Sequence, residues 1–503
     1  MKNNNLRKNC IIVSWVFFVT ASILFSIFQW YCKYFGIRLQ ELLFTLASPK
    51  EGADLSFFVT YISYFIKYCL IPILCFLFIF LADKTFYKKL NMQISLKTKK
   101  KQIIWNVSSF FNIILMCTAL IFFFVTVFQI TKTLNIKNYI ESKHNVTKIY
   151  EEHYISPKDV SITTENKRNL IYIYMESMEN TYQDKINGGQ QTTNYIPNLT
   201  ELAKQNTSFK NTYNDANGFI PNYGAGWTMG AIFCTTTGLP FSFPINGNEM
   251  DTYKSFASGI TNLGDILFDF GYQNEFLCGS NASFAGRRKY FEQHGNYKIF
   301  DYFTAIEKKY IEPDYLVWWG FEDEILYKIA KDEISALAKN NKPFNFTMLT
   351  VDTHHVGGYV CSNCKNKYNT QLENVVACAD EQIGDFINWC KKQSWFENTT
   401  IIITGDHPRM DSLLVKNIEY TNRTVYECFI NPVPEVQKKE RLFVTCDIFP
   451  TILASMGFKI EGDRLGLGTN LFSNKQTLCE EMGFLEFENE IEKSSQYYLE
   501  HFK

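Results

Sequence analysis

Three long apolar stretches near the start of the chain constrain its fold more than any other feature. They are Ile11–Tyr34, Phe57–Leu81 and Ile103–Ile130. Each has at least the roughly 20 apolar residues that an α-helix needs to cross a bilayer. The first stretch is too long for the apolar part of a secretory signal, and two more follow it. We therefore expect an uncleaved membrane anchor of about three transmembrane helices over residues 1–130.

Basic residues around the three stretches predict their orientation. The segment between the second and third stretches is rich in lysine, with Lys84, Lys88, Lys89, Lys97, Lys99, Lys100 and Lys101. The loop between the first two stretches has only Arg38 and Lys50, whereas three basic residues precede the first stretch. Because basic loops remain in the cytoplasm, this pattern places everything after about residue 131 outside the cytoplasm. A solvated lysine-rich loop is compatible with the same topology.

The rest of the chain has the pattern of a large α/β domain. Residues 131–165 are polar and predict a linker, with one helix near Leu134–His144. Beyond it, strands are predicted over Leu170–Met175, Gln273–Leu277, Phe344–Val351 and Thr400–Thr404. Helices are predicted over Ile196–Gln205, Leu263–Phe270, Asp323–Ala338 and Asn374–Lys391. This alternation favours a mostly parallel sheet within residues 166–475, followed by a C-terminal tail over residues 476–503.

Two of the predicted strands end in residues that can bind a metal. Thr400–Thr404 is followed by Asp406 and His407, and Leu170–Met175 is followed by Glu176. Ligands of open α/β sheets bind outside the carboxyl ends of the strands, so we expect these three side chains to meet there. Carboxylate oxygens and an imidazole nitrogen suit a divalent metal such as zinc or manganese, and three ligands leave one position open. The alternative is a capped turn with a surface Asp–His pair.

A glycine-rich segment after the first predicted strand contains a candidate nucleophile. Residues 224–231 read GAGWTMGA, and the residues after Thr228 predict a helix that ends at Gly238. A hydroxyl at a helix N-terminus is ordinarily an N-cap. A helix N-terminus also stabilises anions, and a bound metal can lower the hydroxyl pKa and create a nucleophile. The sequence leaves both roles open for Thr228.

Two further polar clusters follow predicted strands. Asp352, His354 and His355 come after the apolar run that begins at Phe344, and one of the histidines could bind a phosphate or hydroxyl of a substrate. Arg287 follows another strand and could hold phosphate through two hydrogen bonds. The alternatives are a turn whose polar residues satisfy backbone groups, and a solvated arginine pair.

Three cysteines lie close together in the sequence after His355. Cys361 and Cys364 form a single C-x-x-C motif, and Cys378 follows shortly after. A zinc ribbon needs a second C-x-x-C motif, which the sequence lacks. In an oxidising compartment we expect a disulfide that joins one of the first two cysteines to Cys378.

An ordered set of motifs over residues 165–460 resembles a known family. The matching residues are Ile171–Ser177 with Glu179, Thr181 and Tyr182; Gly226–Thr228 through Gly238–Pro240; Thr350–His355; and Gly405–Met410. They are similar to membrane phosphoglycerol transferases of the sulfatase/alkaline-phosphatase superfamily. Members with a similar pattern include the transferases that modify osmoregulated periplasmic glucans and, more distantly, lipoteichoic acid synthases. The resemblance implies an alkaline-phosphatase-like (sulfatase) fold for the domain outside the membrane.

The resemblance also implies roles for individual residues. Thr228 stands at the position of the family's nucleophilic threonine. Glu176, Asp406 and His407 stand at positions of metal ligands, with Thr228 completing the set. The metal is expected to be manganese, with zinc or magnesium as alternatives.

Substrate-binding residues and the reaction follow from the same resemblance. His354 matches a histidine that contacts the phosphoglycerol group, Arg287 falls near a substrate-binding arginine, and His355 is also assigned to the substrate site. The implied reaction transfers phosphoglycerol from phosphatidylglycerol to a hydroxyl of a glycan or polyol acceptor through a covalent phosphothreonine, releasing diacylglycerol. The protein would lie in a bacterial cytoplasmic (inner) membrane as a multi-pass protein, with its catalytic domain facing the periplasm or cell exterior. A net charge of −1 gives no indication of nucleic acid binding.

The chain departs from the family pattern at two places. Pro408 and Arg409 follow the Asp–His pair where close relatives prefer Leu-Ala, and His355 is followed by Val356 and not by proline. Both departures concern specificity more than chemistry, and the absence of the sulfatase signature cysteine argues against sulfate ester hydrolysis. Two other functions remain: phosphoethanolamine transfer to lipid A or a glycan, and a non-catalytic membrane receptor or scaffold with the same fold.

Overall fold

The computed structural model describes residues 2–34, 56–82, 93–97, 102–242, 255–416 and 418–502. These residues divide into two compact units with a boundary between Tyr139 and Ile140. The loop between the first two predicted spans and most of the lysine-rich segment, on which the predicted orientation depends, lie outside the described residues.

The first unit contains three long apolar helical segments and a β-hairpin. The elements are α1 (Lys2–Tyr34), α2 (Ser56–Phe65), a π-helical turn (Ile66–Leu70), α3 (Ile71–Ala82), β1 (Gln93–Lys97), β2 (Gln102–Asn106) and α4 (Val107–Thr133). Within this unit α1 packs on α3, where the rings of Phe18 and Phe76 stack with centroids 4.2 Å apart. Three segments are long and apolar enough to cross a membrane, namely Ile11–Lys33, Val59–Leu81 and Asn112–Thr133. Three helices that are long and apolar enough to span a membrane are therefore present, as predicted.

The start of the third predicted stretch is wrong. Ile103 to Asn106 belong to β2, which pairs with β1 in an antiparallel hairpin, and the apolar span begins only at Asn112. Apolar residues that precede a membrane helix were counted with it because a short strand and a helix start look alike in composition.

The second unit is built around a six-stranded sheet. Its strands are β4 (Asn169–Met175), β7 (Gln273–Cys278), β8 (Lys298–Phe300), β9 (Phe344–Leu349), β10 (Thr399–Gly405) and β11 (Glu427–Ile430), in the spatial order β11-β10-β4-β9-β7-β8. All neighbours are parallel except β10 and β11, which are antiparallel. The predicted α/β fold with a mostly parallel sheet is confirmed. The candidate metal ligands follow the central strand β4 and its parallel neighbour β10.

Alternating side chains of the central strands enter two hydrophobic cores. Leu170, Tyr172 and Tyr174 of β4 belong to one core, and Ile171 and Ile173 belong to the other. All seven residues of β4 are buried. Successive side chains of a strand point to opposite faces, so a strand covered on both sides must be apolar at every position. This burial explains the continuous apolar runs that the sequence shows at both central strands.

Helices cover the two faces of the sheet, and several short strands lie outside it. The helices are α5 (Ile136–His144), which crosses the boundary between units, α6 (Ile149–His153), α7 (Pro197–Gln205), α8 (Thr228–Thr237), α9 (Leu263–Asp269), α10 (Arg287–Gln293), α11 (Tyr302–Glu307), α12 (Asp323–Ala338), α13 (Gln371–Cys390), α14 (Ile448–Ser455), α15 (Leu478–Met482), α16 (Phe484–Glu492) and α17 (Gln496–Phe502). The short strands are β3 (Ile162–Thr163), β5 (Lys210–Asn211), β6 (Ala216–Asn217), β12 (Glu440–Arg441), β13 (Lys459–Ile460), β14 (Arg464–Leu465) and β15 (Gly468–Thr469). The last two helices contribute Phe484, Phe487, Ile491, Tyr498 and Phe502 to the first core.

Candidate active site

Three candidate metal ligands meet at the carboxyl edge of the sheet. Glu176 follows β4, and Asp406 and His407 follow β10, which is its parallel neighbour. Each side chain is at most 2% exposed, and one ligand atom from each lies within 4.8 Å of the others. The Nε2 atom of His407 lies 3.3 Å from Asp406 Oδ2 and 3.7 Å from Glu176 Oε1. The structure thus brings these three predicted residues together, and the alternative of a surface Asp–His pair is excluded by their burial.

Backbone groups fix the carboxylate of Asp406. Its Oδ1 atom accepts hydrogen bonds of 2.8 Å from the backbone N–H groups of both Ser177 and His407. Ser177 has a φ of +52°, a left-handed conformation that costs a non-glycine residue energy and that turns its N–H toward Asp406. A side chain on Gly405 would place its Cβ 2.0 Å from the carbonyl oxygen of Met178, so only glycine fits before the Asp–His pair.

One carbonyl contact sets the tautomer of His407. Its Nδ1 atom lies 2.8 Å from the carbonyl oxygen of Pro408, which can only accept, so Nδ1 carries the proton. The lone pair of Nε2 therefore faces the two carboxylates. A histidine that donates its other ring N–H to a backbone carbonyl has the usual arrangement of a metal ligand.

Thr228 places its hydroxyl against this group. It is the first residue of α8, and its Oγ1 atom lies 3.4 Å from both Glu176 Oε2 and His407 Nε2. The N-cap of α8 is Trp227, so Thr228 does not have the N-cap role that the sequence left open. Thr228 is partly exposed, unlike the three buried residues that it contacts. The hydroxyl therefore lies where the cluster can be reached from outside.

The donor set fits a divalent cation. The Oδ2 atom of Asp406 is buried and has no hydrogen-bond partner among the residues that the structure describes. Burial, and secondly the neighbouring Glu176 carboxylate, raises the pKa of Asp406 to about 7. Two buried carboxylates without a neighbouring positive charge would lower the free energy of unfolding, by about several kcal/mol for each ion that is removed from water. Two carboxylates, one imidazole lone pair and one hydroxyl converge here, and a cation would satisfy all of them.

His354 and His355 lie beyond the end of β9 in a mostly aromatic environment. Their rings stack with centroids 4.3 Å apart, and the ring of His354 lies 4.7 Å from that of Trp319. Burial lowers the pKa of His354 to about 4, so its ring is neutral at pH 7. Its Nδ1 atom donates to the carbonyl oxygen of His355 over 2.7 Å, which leaves Nε2 as an acceptor. No local sequence pattern indicated that Trp319 lies beside His354.

Arg287 is connected to His354 through two aromatic rings. Its guanidinium lies 5.5 Å from the ring centroid of Phe284, and the ring of Phe284 lies 5.6 Å from that of Trp319. The Nη2 atom donates to Ser280 Oγ and to a backbone carbonyl, over 2.9 and 3.1 Å. Its Nε atom is buried without a partner in the described part of the chain. A role of Arg287 in binding substrate remains a prediction.

A buried ion-pair network that sequence reasoning missed holds the loops of the site. Arg409 is fully buried and binds the carboxylate of Asp411 through both Nε and Nη2, over 2.7 and 2.5 Å. Its Nη1 atom donates to the carbonyl oxygen of Thr353 over 2.6 Å, which ties the loop after β10 to the loop that carries His354. Arg423 binds Glu179 with two hydrogen bonds of 2.6 and 2.9 Å. The arginine that departs from the family pattern therefore has a structural role.

Comparison with known proteins gives matches that cover most of the second unit. The sulfatase family profile matches residues 168–458. Phosphoglycerol transferase I of Salmonella choleraesuis is 33% identical over 326 residues, which are 62% of this chain and 40% of that protein. The chain thus spans about two fifths of the length of the curated relatives it matches.

Two solved structures also match. Lipoteichoic acid synthase LtaP from Listeria monocytogenes is 19% identical, with a TM-score of 0.49, covering 63% of this chain and 79% of that one. A protein of the alkaline phosphatase superfamily from Vibrio parahaemolyticus is 24% identical, with a TM-score of 0.47, covering 59% of this chain and 67% of that one.

Proposed function

Because the chain belongs to the sulfatase family, we propose that its second unit is a metal-dependent phosphotransferase that uses Thr228 as nucleophile. The donor is phosphatidylglycerol, and the acceptor is a hydroxyl of an extracytoplasmic glycan or polyol. The observation that carries this proposal is the position of the Thr228 hydroxyl, 3.4 Å from both Glu176 and His407 and partly exposed. The names of the curated relatives support phosphoglycerol as the transferred group.

Four residues would hold the metal, namely Glu176, Thr228, Asp406 and His407. When bound, a divalent ion, for which manganese is our choice, supplies positive charge that lowers the pKa of a hydroxyl and offsets the charge of a phosphate. The hydroxyl of Thr228 also lies at the start of α8, where the backbone N–H groups and the helix dipole favour negative charge. Glu176 and Asp406 keep their orientation because backbone and side-chain donors bind them, including Ser177 Oγ at 2.7 Å from Glu176 Oε1.

The reaction proceeds in two displacements at phosphorus. In the first, Thr228 Oγ loses its proton and forms a bond to phosphorus, the bond from phosphorus to the diacylglycerol oxygen breaks, and that oxygen leaves and takes up a proton. In the second, the acceptor hydroxyl loses its proton and bonds to phosphorus, and the bond to Thr228 Oγ breaks, which restores the threonine hydroxyl. Such a double displacement predicts ping-pong kinetics. The covalent phosphoglyceryl-threonine holds the phosphoglycerol group until the acceptor binds.

We assign the donor head group to the side of the site where His354 lies. A neutral ring with its proton on Nδ1 offers Nε2 as an acceptor, which suits a glycerol hydroxyl. Arg287 supplies a fixed positive charge beyond Trp319, and His355 stacks behind His354. These three residues would position the phosphoglycerol group, and Thr228 would receive it.

The three apolar helices support a location in the bacterial cytoplasmic membrane, with residues 166–475 as a catalytic domain on its outer side. In this arrangement residues 1–130 form a multi-pass anchor, residues 131–165 a linker and residues 476–503 a C-terminal segment. An anchored domain meets a lipid donor without leaving the membrane surface.

The test uses full-length protein purified in detergent, manganese and phosphatidylglycerol labelled in its terminal glycerol. We expect release of diacylglycerol and, by intact mass and peptide mapping, a glycerophosphate adduct on Thr228. Thr228→Ala should lose at least about a thousandfold in transfer while keeping its fold. Thr228→Ser, which retains a hydroxyl, is the matched control and should keep measurable activity.

Other outcomes would change the function. Reaction with phosphatidylethanolamine and not with phosphatidylglycerol would make the protein a phosphoethanolamine transferase. The absence of a reaction with either lipid would favour a non-catalytic receptor or scaffold. Release of diacylglycerol by Thr228→Ala at the wild-type rate would show that another group is the nucleophile.

A further inference from the structure

Three cysteine sulfurs converge away from the candidate active site. Cys361 and Cys364 lie on the loop after β9, and Cys378 lies on α13. The Sγ atom of Cys361 is 3.5 Å from that of Cys364 and 3.7 Å from that of Cys378, and all three sulfurs lie within 4.8 Å of one another. All three residues are free thiols, so the disulfide expected from the sequence is not formed in this structure.

The backbone and a neighbouring amide shape this group. The N–H of Cys364 donates to the carbonyl oxygen of Cys361 over 3.2 Å, and this turn brings the two thiols of the C-x-x-C motif to the same side. Gln382 lies one helical turn after Cys378 on α13. Its side-chain N–H group donates to the sulfurs of Cys378 and Cys361 over 3.6 and 3.8 Å. A donor aimed at two sulfurs favours negative charge on them.

The spacing of the sulfurs fits a tetrahedral zinc site better than a disulfide. With zinc–sulfur bonds of about 2.3 Å, two thiolates on a tetrahedron lie about 3.8 Å apart. The two measured separations, 3.5 and 3.7 Å, are close to this value. A disulfide joins only two sulfurs, at about 2.05 Å, and would leave the third thiol unused inside the group. Thiolates are soft ligands and select zinc over manganese or magnesium.

We propose that Cys361, Cys364 and Cys378 bind a zinc ion, in a site that shares no residue with the Glu176–Asp406–His407 cluster. Each thiol releases one proton to solvent as its sulfur binds the ion. Cys361 and Cys378 are buried, whereas Cys364 is partly exposed, so the fourth position of the zinc is open to water on that side. The ion acts as a clamp between the loop after β9 and helix α13.

The clamp lies on the same loop as His354. Around His354, the N–H of Tyr359 donates to the carbonyl oxygen of Asp352 over 2.7 Å. The side chain of Gln371, at the start of α13, donates to the carbonyl oxygen of Gly358 over 2.7 Å. Zinc would add a stronger connection between this loop and α13, and its removal would loosen the segment that presents His354.

The experiment measures zinc in full-length protein purified in detergent without added metal. All variants carry Asp406→Asn, which removes one ligand of the sheet-edge cluster and so limits zinc bound there. Cys361→Ser and Cys378→Ser should each lower zinc from about one equivalent per chain to less than about one fifth. Cys390→Ser is the matched control, because Cys390 is a buried cysteine of the same helix α13 that is not part of the group, and it should retain the zinc.

A measurement on the wild-type chain tests the zinc site without relying on variants, which could fail to fold. Titration with an organic mercurial in the presence of a zinc-sensitive dye should release about one equivalent of zinc as the thiols of this group react. Zinc content that is the same in Cys361→Ser, Cys378→Ser and Cys390→Ser would overturn the proposal. So would a wild-type chain without thiol-bound zinc whose non-reduced peptide map shows Cys378 in a disulfide.

Discussion

Two groups of potential metal ligands in the second unit differ in the chemistry of their ligand atoms and in the structural elements that hold them. The sheet-edge group offers oxygen and nitrogen atoms from Glu176, Asp406 and His407, and its ligands follow two adjacent strands. The thiol group offers three sulfurs from one loop and one helix. A hard donor set suits manganese, magnesium or zinc, whereas three thiolates suit zinc.

The elements that hold each group suggest that the two groups have different roles, one in catalysis and one in stability. The sheet-edge ligands are fixed by buried strands and backbone N–H groups, and a partly exposed hydroxyl lies within 3.4 Å of them. The thiol group has a partly exposed cysteine at its outer side, and it lies between one loop and one helix. Rigid ligands with one accessible reactive group favour catalysis, whereas a link between a loop and a helix favours stability.

The largest expected effect is a loss of transfer activity when a ligand of the sheet-edge group, and not of the thiol group, is replaced. Asp406→Asn should lower transfer at least about a thousandfold, because it removes a charged metal ligand that also faces Glu176. The variant should keep its thermal unfolding midpoint to within a few degrees, because Asn retains the oxygen that accepts from Ser177. Cys361→Ser, as the counterpart in the thiol group, should keep about a tenth or more of the activity. Equal losses of transfer activity in the two variants would contradict these different roles.

The next effect concerns the ion pairs that hold the sheet-edge loops. Arg409→Met leaves Asp411 as a buried charge without its partner, and both side chains are 0% exposed. Such a loss costs about 3–5 kcal/mol of the free energy of unfolding. Chemical unfolding of the purified chain, followed by tryptophan fluorescence, measures this cost.

A second substitution provides the control for Arg409. The double variant Arg409→Met/Asp411→Asn removes both charges and keeps an oxygen for the N–H of Leu413, so it should regain more than half of the lost stability. If the double variant is no more stable than Arg409→Met, the contact of Arg409 with Thr353 and not the charge pair carries the effect.

The sequence predicted the sheet-edge group because local patterns define it. An apolar run that ends in a carboxylate marks the end of a buried strand, and parallel strands bring their carboxyl ends to one edge. The four central strands and their helices were placed to within a few residues for this reason, and the sulfatase profile confirms the predicted fold class. Strands β8 and β11 were missed, since runs of three and four residues carry too few positions for a periodic signal.

The supporting contacts could not be predicted because they join distant segments. Arg423 and Glu179 are 244 positions apart in the chain, and Trp319 meets His354 across two loops. Nothing in the local sequence around Arg423 or Trp319 indicates the partner. The three thiols show an intermediate case: the C-x-x-C spacing was visible, but the position of Cys378 beside both sulfurs depends on how α13 packs.

A third buried carboxylate tests whether an unpaired oxygen by itself indicates a metal. Glu427 resembles Asp406 in having one buried oxygen without a hydrogen-bond partner among described residues, but no other candidate ligand groups with it. Burial raises the pKa of Glu427 to about 8. A carboxyl whose pKa is higher in the folded state holds its proton there, so stability falls as the pH rises from the unfolded value of about 4.3 toward 8.

The expected result is a pH-dependent gap between Glu427→Gln and the wild type. The variant should be the more stable protein at pH 8, by about 2 kcal/mol or more, and the gap should shrink toward pH 5. Unfolding curves at pH 5, 6.5 and 8 measure the gap, and metal content should be unchanged. A gap that does not vary with pH would show that Glu427 is ionised in the folded protein throughout this range.

The smallest expected effect lies on the loop between the two groups. His354→Asn keeps a donor near the Nδ1 position for the carbonyl oxygen of His355 but removes the ring acceptor that we assign to the glycerol hydroxyl. Loss of one neutral hydrogen bond of about 1.4 kcal/mol lowers kcat/KM about tenfold, and a binding role places most of that loss in KM for phosphatidylglycerol. Zinc and manganese contents should match the wild type. Cys361→Ser should instead lower activity together with zinc, because it releases the loop and does not alter the acceptor. A fall confined to kcat in His354→Asn would move this histidine from substrate binding to the reacting atoms, and the loop would then join the sheet-edge group in the chemistry.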